Sequence, residues 1–294
     1  MRLLAWLFGV MMLGAGAAHA AQPEPWGLGL QEGVTPVMAQ IRWFEGYTLI
    51  IITAISLFVL ALLILVVVRY RASVNKDPSR VTHNTMLEVV WTIVPVLILV
   101  AIAFPSFRLL FEVTDIPKPD MTVKAIAAQW YWNYEYMDEA YADIPVIVSN
   151  MLKEPAREER KEKYGLTDHD VPRLLAADFP LVVPEGATVH LLTTSMDVNH
   201  AVAMPAFGLK QDSVQGRLNE MWFKAEEPGI YYGQCSELCG RLHAFMPLEF
   251  RVLTQERFDA WTKLAAEDLD KAQEQLMAWQ VEDRGQAVAQ LAAN

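Results

Sequence analysis

The sequence predicts a membrane-anchored all-β protein: two transmembrane helices, then a β-sandwich or barrel, then a helical tail. Three observations carry this. Apolar residues are concentrated before Phe107 and charges after it. Two charge-free runs, residues 47–68 and 89–107, are each long enough to cross a bilayer. Beyond them, short runs rich in β-branched and aromatic residues alternate with turn signals. The 294 residues carry 24 Lys+Arg against 35 Asp+Glu, a formal net charge of −11. That balance argues against nucleic acid, whose phosphates need Lys and Arg, and favours a basic protein partner. With only Cys235 and Cys239 present, no disulfide framework holds the fold.

Taken in order, residues 1–20 read as a secretory signal peptide. Arg2 supplies the positive end, residues 3–13 are apolar, and Ala18-His19-Ala20 offers a small-x-small cleavage site. An uncleaved membrane helix is the alternative, but the apolar run is shorter than the roughly 20 residues a span needs. Residues 22–39, rich in Gly and Pro, read as an extended surface segment. The first span covers about 45–70, with Trp43, Phe44 and Tyr47 at one end and Tyr70 at the other, as in an aromatic belt. The second covers about 87–107 and contains Pro95, which a span tolerates when neighbours satisfy the freed carbonyl. Arg69, Arg71, Lys76 and Arg80 lie between the spans, so the positive-inside rule puts that loop in the cytoplasm and both termini outside. Glu88, at the cytoplasmic mouth of the second span, reads either as an interfacial carboxylate meeting the helix dipole or as a proton-entry group.

After Phe107 the strand signals fall at residues 121–127, 129–136, 181–183, 188–194, 219–225, 229–233 and 246–253. Residues 138–178, with the charge run Arg157-Glu-Glu-Arg-Lys-Glu-Lys163, read as a solvated helical insertion. From Gln255 the chain turns helical, with Phe258, Trp261, Leu264 and Leu269 among charges, and should pack on the sandwich or on a partner.

The stretch that carries chemistry is Cys235-Ser-Glu237-Leu-Cys239-Gly-Arg-Leu-His243-Ala-Phe-Met246. Thiolate and thioether select copper and imidazole accepts it. His200 adds a second imidazole upstream. One blue copper needs a single Cys; a second, four residues on, suggests two thiolates bridging two coppers. A disulfide between Cys235 and Cys239 is the competing reading for an exported chain. His83, His169 and His190 have no such company and read as structural.

Cys-Ser-Glu-x-Cys-Gly-x-x-His-x-x-Met resembles the signature of cytochrome c oxidase subunit II. Asp197-Val-Asn-His200, Lys210-Gln-Asp212 with Gly216-Arg217, Gln129-Trp130-Tyr-Trp132 and His83-Asn-Thr-Met-Leu-Glu88-Val-Val-Trp91-Thr resemble other segments of that family. The resemblance implies a transmembrane hairpin joined to a cupredoxin-like β-sandwich. The domains would be 1–20 signal peptide, 21–115 N-terminal segment and hairpin, 116–254 copper domain and 255–294 helical tail. It implies two copper ions in a binuclear (CuA) centre held by His200, Cys235, Cys239, His243, Met246 and the main-chain carbonyl of Glu237. The side chain of Glu237 would reach a magnesium at the boundary with subunit I. Trp130 would be the electron-entry residue and Glu88 would lie at the mouth of a proton pathway. The implied role is electron entry to a respiratory oxidase in a bacterial-type inner membrane, with the copper domain periplasmic. The implied partners are subunits I and III, cytochrome c and membrane lipid. Glu135, Asp138, Glu139, Asp143 and Asp197 would steer the basic cytochrome.

The chain departs from the family pattern at Ala127 and Ala128, where Gly then Tyr or His is usual. It departs again at Asn199 for an aliphatic residue, Val202 for an aromatic and Gln215 for Pro. No ligand position is affected. A membrane-anchored thiol-disulfide or copper-chaperone protein using Cys235 and Cys239 is the alternative function. It would be expected to set its cysteines in a thioredoxin-like βαβ context, whereas strands and loops surround them here. A quinol oxidase subunit II would lack the cysteines. The absence of Cys-x-x-Cys-His argues against a fused c-type haem.

Overall fold

The computed structural model of the chain describes residues 22–293, so the leader expected over residues 1–20 lies outside the described residues. The chain divides into two compact units, the hairpin Ala39–Asp115 and a unit built from residues 22–38 and 116–293.

In the hairpin, α1 (Pro36–Arg69) and α2 (Thr85–Thr114) are both long and apolar enough to cross a membrane. Each is longer than the sequence suggests. At 1.5 Å per residue α1 runs about 51 Å, well beyond a hydrocarbon core of about 30 Å. Only its charge-free part matches the lipid. The early start has a local cause: the Thr35 hydroxyl accepts from the Met38 N–H at 3.1 Å, and Pro36 occupies the first helical position. Thr-Pro is a helix start, not the end of an extended segment as the Gly/Pro count implied. Asn84 caps α2 by accepting from the Leu87 N–H (3.1 Å). The helix carries Pro95 and Pro105 and continues past Phe107 through Arg108 and Glu112 to Thr114. Tyr47 Oη donates to the Ala101 carbonyl (3.1 Å), and Gln40 Nε2 bonds Glu112, tying the two helices together.

The other unit is a β-sandwich. One sheet has the order β3-β2-β1-β5-β8, formed by β1 (Met121–Ala128), β2 (Tyr131–Tyr136), β3 (Ile147–Ser149), β5 (Thr188–Ser195) and β8 (Asn219–Lys224). The other has the order β4-β10-β9, from β4 (Leu181–Pro184), β9 (Gly229–Gln234) and β10 (Pro247–Leu253). Strand alternation works as the sequence suggests: Met121, Val123, Ala125 and Ala127 of β1 and Val189 and Leu191 of β5 point into the core. Trp132, Tyr134, Phe207, Phe223 and Phe250 fill it.

A third element, the hairpin of β6 (His200–Met204) and β7 (Leu209–Ser213), is not legible as strand in the sequence. β6 is buried on nearly every residue, so it shows no period of two. β9 packs so closely on β6 that a Cβ on Gly233 would lie 2.1 Å from the Ala203 carbonyl oxygen. Only glycine permits that approach, and it sets the spacing between the strand opening with His200 and the strand leading to Cys235.

Residues 22–38 are not simply a surface segment. Val34 exchanges main-chain bonds with Ala206 and Glu226, both at 2.9 Å, and Val34, Val37 and Met38 are buried. The insertion also departs from expectation. It contains only one α-helix, α3 (Ala156–Tyr164), with a short 3₁₀ turn at Glu139–Tyr141 and the edge strand β3. Leu152, Leu166, Val171 and Ala176 give it a small core of its own. Arg157, from the charge run, is buried, donates to the Val171 carbonyl (2.8 Å) and pairs with Glu154, Glu158 and Asp168. The tail forms α4 (Gln255–Glu267) and α5 (Leu269–Ala293). Phe258, Trp261, Ala265, Ala272, Leu276 and Met277 bury its inner face on the sandwich, with Trp261 against Tyr136 at 5.9 Å between ring centroids.

Candidate metal centre

Two loops meet at one end of the sandwich. The first follows β5 and opens β6, bringing His200. The second follows β9 and carries Cys235, Glu237 and Cys239. It continues through a 3₁₀ turn, His243–Phe245, to Met246 at the mouth of β10. The Cys235 N–H and Trp132 Nε1–H both donate to the Met246 carbonyl, at 3.3 and 3.4 Å, which closes the loop onto the core.

The side chains converge around two sulfurs. Cys235 and Cys239 are free thiols with Sγ atoms 3.9 Å apart. His200 Nδ1 lies 3.8 Å from Cys235 Sγ, and the Glu237 carbonyl oxygen lies 3.3 Å from the same sulfur. His243 Nδ1 and Met246 Sδ lie 3.6 and 3.5 Å from Cys239 Sγ. His200, both cysteines and Met246 are buried and His243 is half-buried. The ligand atoms of His200, Cys235 and Cys239 all fall within 4.8 Å of one another. Two thiols, two imidazoles, one thioether and one carbonyl, shared out on either side of a sulfur pair, form a soft donor set that suits copper and not a hard cation.

The electrostatics split the two thiols. Burial alone would raise the Cys235 thiol, but the contact with His200 and main-chain bonds outweigh it and bring it down to about 7. Burial, then the neighbouring Cys235, pushes Cys239 up to about 12. Burial works to lower His200, yet its bonds to Cys235 and Asp197 hold it above its usual value. In the reduced, metal-free chain one thiolate per molecule is therefore expected to appear as pH rises through about 7, the second staying protonated until about 12. Ultraviolet thiolate absorbance reads this directly. Two equivalents appearing together near the ordinary value of about 8.5 would show that the sulfurs do not interact.

Trp130 is half-buried beside this cluster. It follows β1 in a two-residue turn with Gln129, and Trp130 Nε1 and Gln129 Nε2 both donate to the Cys239 carbonyl, at 3.2 and 2.9 Å. Gly240 supports the turn with φ +119°; a Cβ there would lie 3.1 Å from Trp130 Cζ2. The role of Gln129 is invisible in the sequence, since nothing marks a glutamine as bonding a carbonyl 110 residues away. The side chain of Glu237 is exposed, without a partner among the described residues. Glu88 lies in the hairpin, where its Oε1 accepts from the Asn84 N–H at 3.3 Å and closes the start of its own helix.

The acids read as steering charges divide. Glu135 pairs with Lys124 at 3.2 Å, and Asp138 Oδ2 accepts from the Thr122 N–H at 2.7 Å. Asp197 is bound to His200, Gln129 and Val198; burial would raise its carboxyl, but the His200 and main-chain bonds hold it below the usual range. Of these acids only Glu139 and Asp143 remain exposed, because the β1–β2 pair and a ligand loop take up the others.

Comparison with known proteins adds two matches between families and this chain. Residues 121–253 match the model of the cytochrome c oxidase subunit II periplasmic domain, and residues 23–109 match the model of the transmembrane domain of the same subunit. The chain is 43% identical over 268 residues to cytochrome c oxidase subunit 2 of Cereibacter sphaeroides, covering 86% of this chain and 88% of that protein. It is 40% identical over 252 residues to a probable cytochrome c oxidase subunit 2 of Rickettsia bellii, covering 85% and 88%. Among solved structures, the periplasmic domain of subunit II of cytochrome oxidase from Bradyrhizobium japonicum is 41% identical with a TM-score of 0.44, covering 53% of this chain and 99% of that one.

Proposed function

Because the chain belongs to the cytochrome c oxidase subunit II family, we propose that it is the electron-entry subunit of a respiratory oxidase. It takes electrons from cytochrome c and hands them to a haem-bearing subunit I, where oxygen is reduced to water with proton pumping. The chain is a two-span membrane protein and one subunit of that enzyme. The observation that carries the reading is the pair of thiols 3.9 Å apart, each with an imidazole nitrogen within 3.8 Å.

In this reading His200, Cys235, Cys239, His243, Met246 and the Glu237 carbonyl hold a binuclear copper centre. When bound, that centre supplies a one-electron couple shared between two ions. The chain's own residues do the rest. Burial of the sulfurs keeps water away, and the bonds to the Met246 carbonyl hold the loop against the core, so the donors need not rearrange. Trp130 offers an indole at the surface joined to Cys239 by one hydrogen bond, a short bonded route inward. Leu238, Met196 and Phe245, exposed on the ligand loops, supply a small apolar contact for the cytochrome, and Glu139 and Asp143 the attracting charge. The carboxylate of Glu237, which is exposed, would reach a magnesium shared with subunit I. Glu88 serves the mouth of a proton pathway while capping its helix. Subunit III completes the assembly. The leader-like residues 1–20 and the basic loop between the spans support a bacterial-type inner membrane, with both termini and the copper domain periplasmic. The boundaries 21–115 for the anchor, 116–254 for the copper domain and 255–294 for the tail follow this division of labour.

The thiol-disulfide or chaperone reading is not favoured. Cys235 and Cys239 sit on the loops of a β-sandwich beside two imidazoles and a thioether, which such chemistry does not need.

Stopped-flow mixing of the assembled oxidase with reduced cytochrome c tests the entry role. Salt screens charges beyond about 8–10 Å near physiological ionic strength, so the association rate should fall as salt rises. Trp130→Ala should slow transfer within the bound complex and leave the salt dependence nearly unchanged. A Trp130→Ala oxidase with wild-type internal transfer removes Trp130 from the route. No reduction of the wild-type enzyme by cytochrome c removes the reading.

A further inference from the structure

The carboxylate of Asp197 is held from several sides. Its Oδ2 accepts from the Gln129 N–H at 2.7 Å. Its Oδ1 accepts from the Val198 N–H at 2.7 Å and lies 3.0 Å from His200 Nε2. The Asp197 N–H in turn donates to Ser195 Oγ at 3.2 Å. An ionised carboxylate only accepts, so each contact to its oxygens requires a donor, and in the neutral ring the His200 contact places the proton on Nε2. The other nitrogen, Nδ1, is then the lone pair that faces Cys235 Sγ.

The same carboxylate reaches the aromatic turn. Gln129 is held by its main chain to Asp197, while the side chains of Gln129 and Trp130 are held to the Cys239 carbonyl. One two-residue turn is thus fastened to both sides of the donor cluster, to His200 through Asp197 and to Cys239 directly. Cysteine and histidine sides stand in register with the indole only while both fastenings hold.

We propose that Asp197 is a positioning residue, which selects the His200 tautomer and locks the Trp130 turn to the ligand it serves. The proposal rests on the copper reading above, and goes beyond it in assigning this acid to the inside of the centre instead of its docking rim. A carboxylate behind a ligating histidine fixes ring orientation and raises its basicity, and losing such a partner costs about 10–100-fold in metal affinity.

Two substitutions in the assembled oxidase separate positioning from steering. Asp197→Asn is isosteric but turns one acceptor into a donor, so it cannot serve all three N–H groups. Asp197→Glu keeps the charge but sets the carboxylate one methylene further out. Positioning predicts that both variants lose about tenfold or more in copper affinity by chelator competition, and that both shift the reduction potential. Steering predicts that Asp197→Glu behaves as wild type and that Asp197→Asn changes only the salt-dependent association rate; that result overturns the proposal. The nitrogen resonances of His200 in the metal-free chain give an independent reading. Measured where the ring is neutral, wild type should show the proton on Nε2, and Asp197→Asn should lose that preference; an unchanged tautomer overturns the proposal. A wild-type chain that takes up no copper but shows this tautomer shift defeats the copper reading and leaves the tie between Asp197 and His200 standing.

Discussion

Replacing Cys239 by serine is expected to abolish the copper pair, whereas Met246→Leu is expected to keep it and change its potential. The difference follows from where each side chain stands. Cys239 Sγ is the hub of the cluster, within 3.9 Å of Cys235 Sγ, His243 Nδ1 and Met246 Sδ. A serine oxygen is harder and shorter, and a soft metal gains little from it. What remains is Cys235 with His200 and the Glu237 carbonyl, a donor set for one ion at most. The Met246 thioether meets Cys239 Sγ and is buried. A thioether is a weak, distant ligand that tunes potential more than it holds metal. Leucine conserves its volume, a swap that usually costs less than about 1.5 kcal/mol in a core. Copper analysis with electron paramagnetic resonance on the solubilised oxidase reads both. Wild type and Met246→Leu should hold about two coppers per chain at this centre with a delocalised spin, and Cys239→Ser one or none. Identical behaviour of the two variants would show that the sulfurs do not have these separate roles.

How much of this was legible in the sequence depended on whether the signal was local. The two spans, the Cys-x-x-x-Cys-x-x-x-His-x-x-Met run and the alternating strands each carry their information within a few residues; the strands form where the sequence places them, and the helices include the expected spans and run beyond them. The cluster of candidate donors was readable because five of its six groups lie within twelve residues, Cys235 to Met246. Features made by distant parts of the chain were not. β6 is buried on nearly every residue, with β9 packed closely against it, which erases the alternation a reader looks for. Arg157 belongs to a run that looks wet, yet it folds back onto Val171. Asp197 looks like any surface acid until the turn at Gln129, 68 residues away, is brought to it. Charge counts describe composition; they do not say which acids have been used inside the molecule.

The largest stability effect is expected away from the sulfurs, at Glu249 and Arg251 on β10. Both are almost fully buried, at 1% and 4% exposure, and Arg251 Nε donates to Glu249 Oε1 at 2.8 Å. The pair also binds the two segments that lie over this sheet. Glu249 Oε2 accepts from the Ala177 N–H of the insertion at 2.8 Å. Arg251 donates to the Leu276 carbonyl and to Gln280 Oε1 of α5, at 3.2 and 3.1 Å. Removing one partner leaves the other charge buried without its direct ion pair, which costs about 3–5 kcal/mol, less when Glu249 is the one left because Arg160 also faces it. Arg251→Met should therefore lower the unfolding temperature of this unit by roughly 10 °C, at a few degrees per kcal/mol. Glu249→Leu alone should do the same. Replacing both removes the charges together, so the double variant should lose less than the sum of the two. It should not recover wild-type stability, because the Ala177 N–H loses its Glu249 acceptor, at about 1–3 kcal/mol, and α5 loses its tie to Arg251. The consequence reaches the candidate centre, since β10 begins at Pro247, the residue after Met246. Chains carrying either single change should lose copper at a lower temperature than the double variant. Heating the three variants side by side, with copper release and circular dichroism followed together, tests this ordering. Strictly additive losses would mean that Glu249 and Arg251 act separately, each through its own main-chain bond and not as a pair.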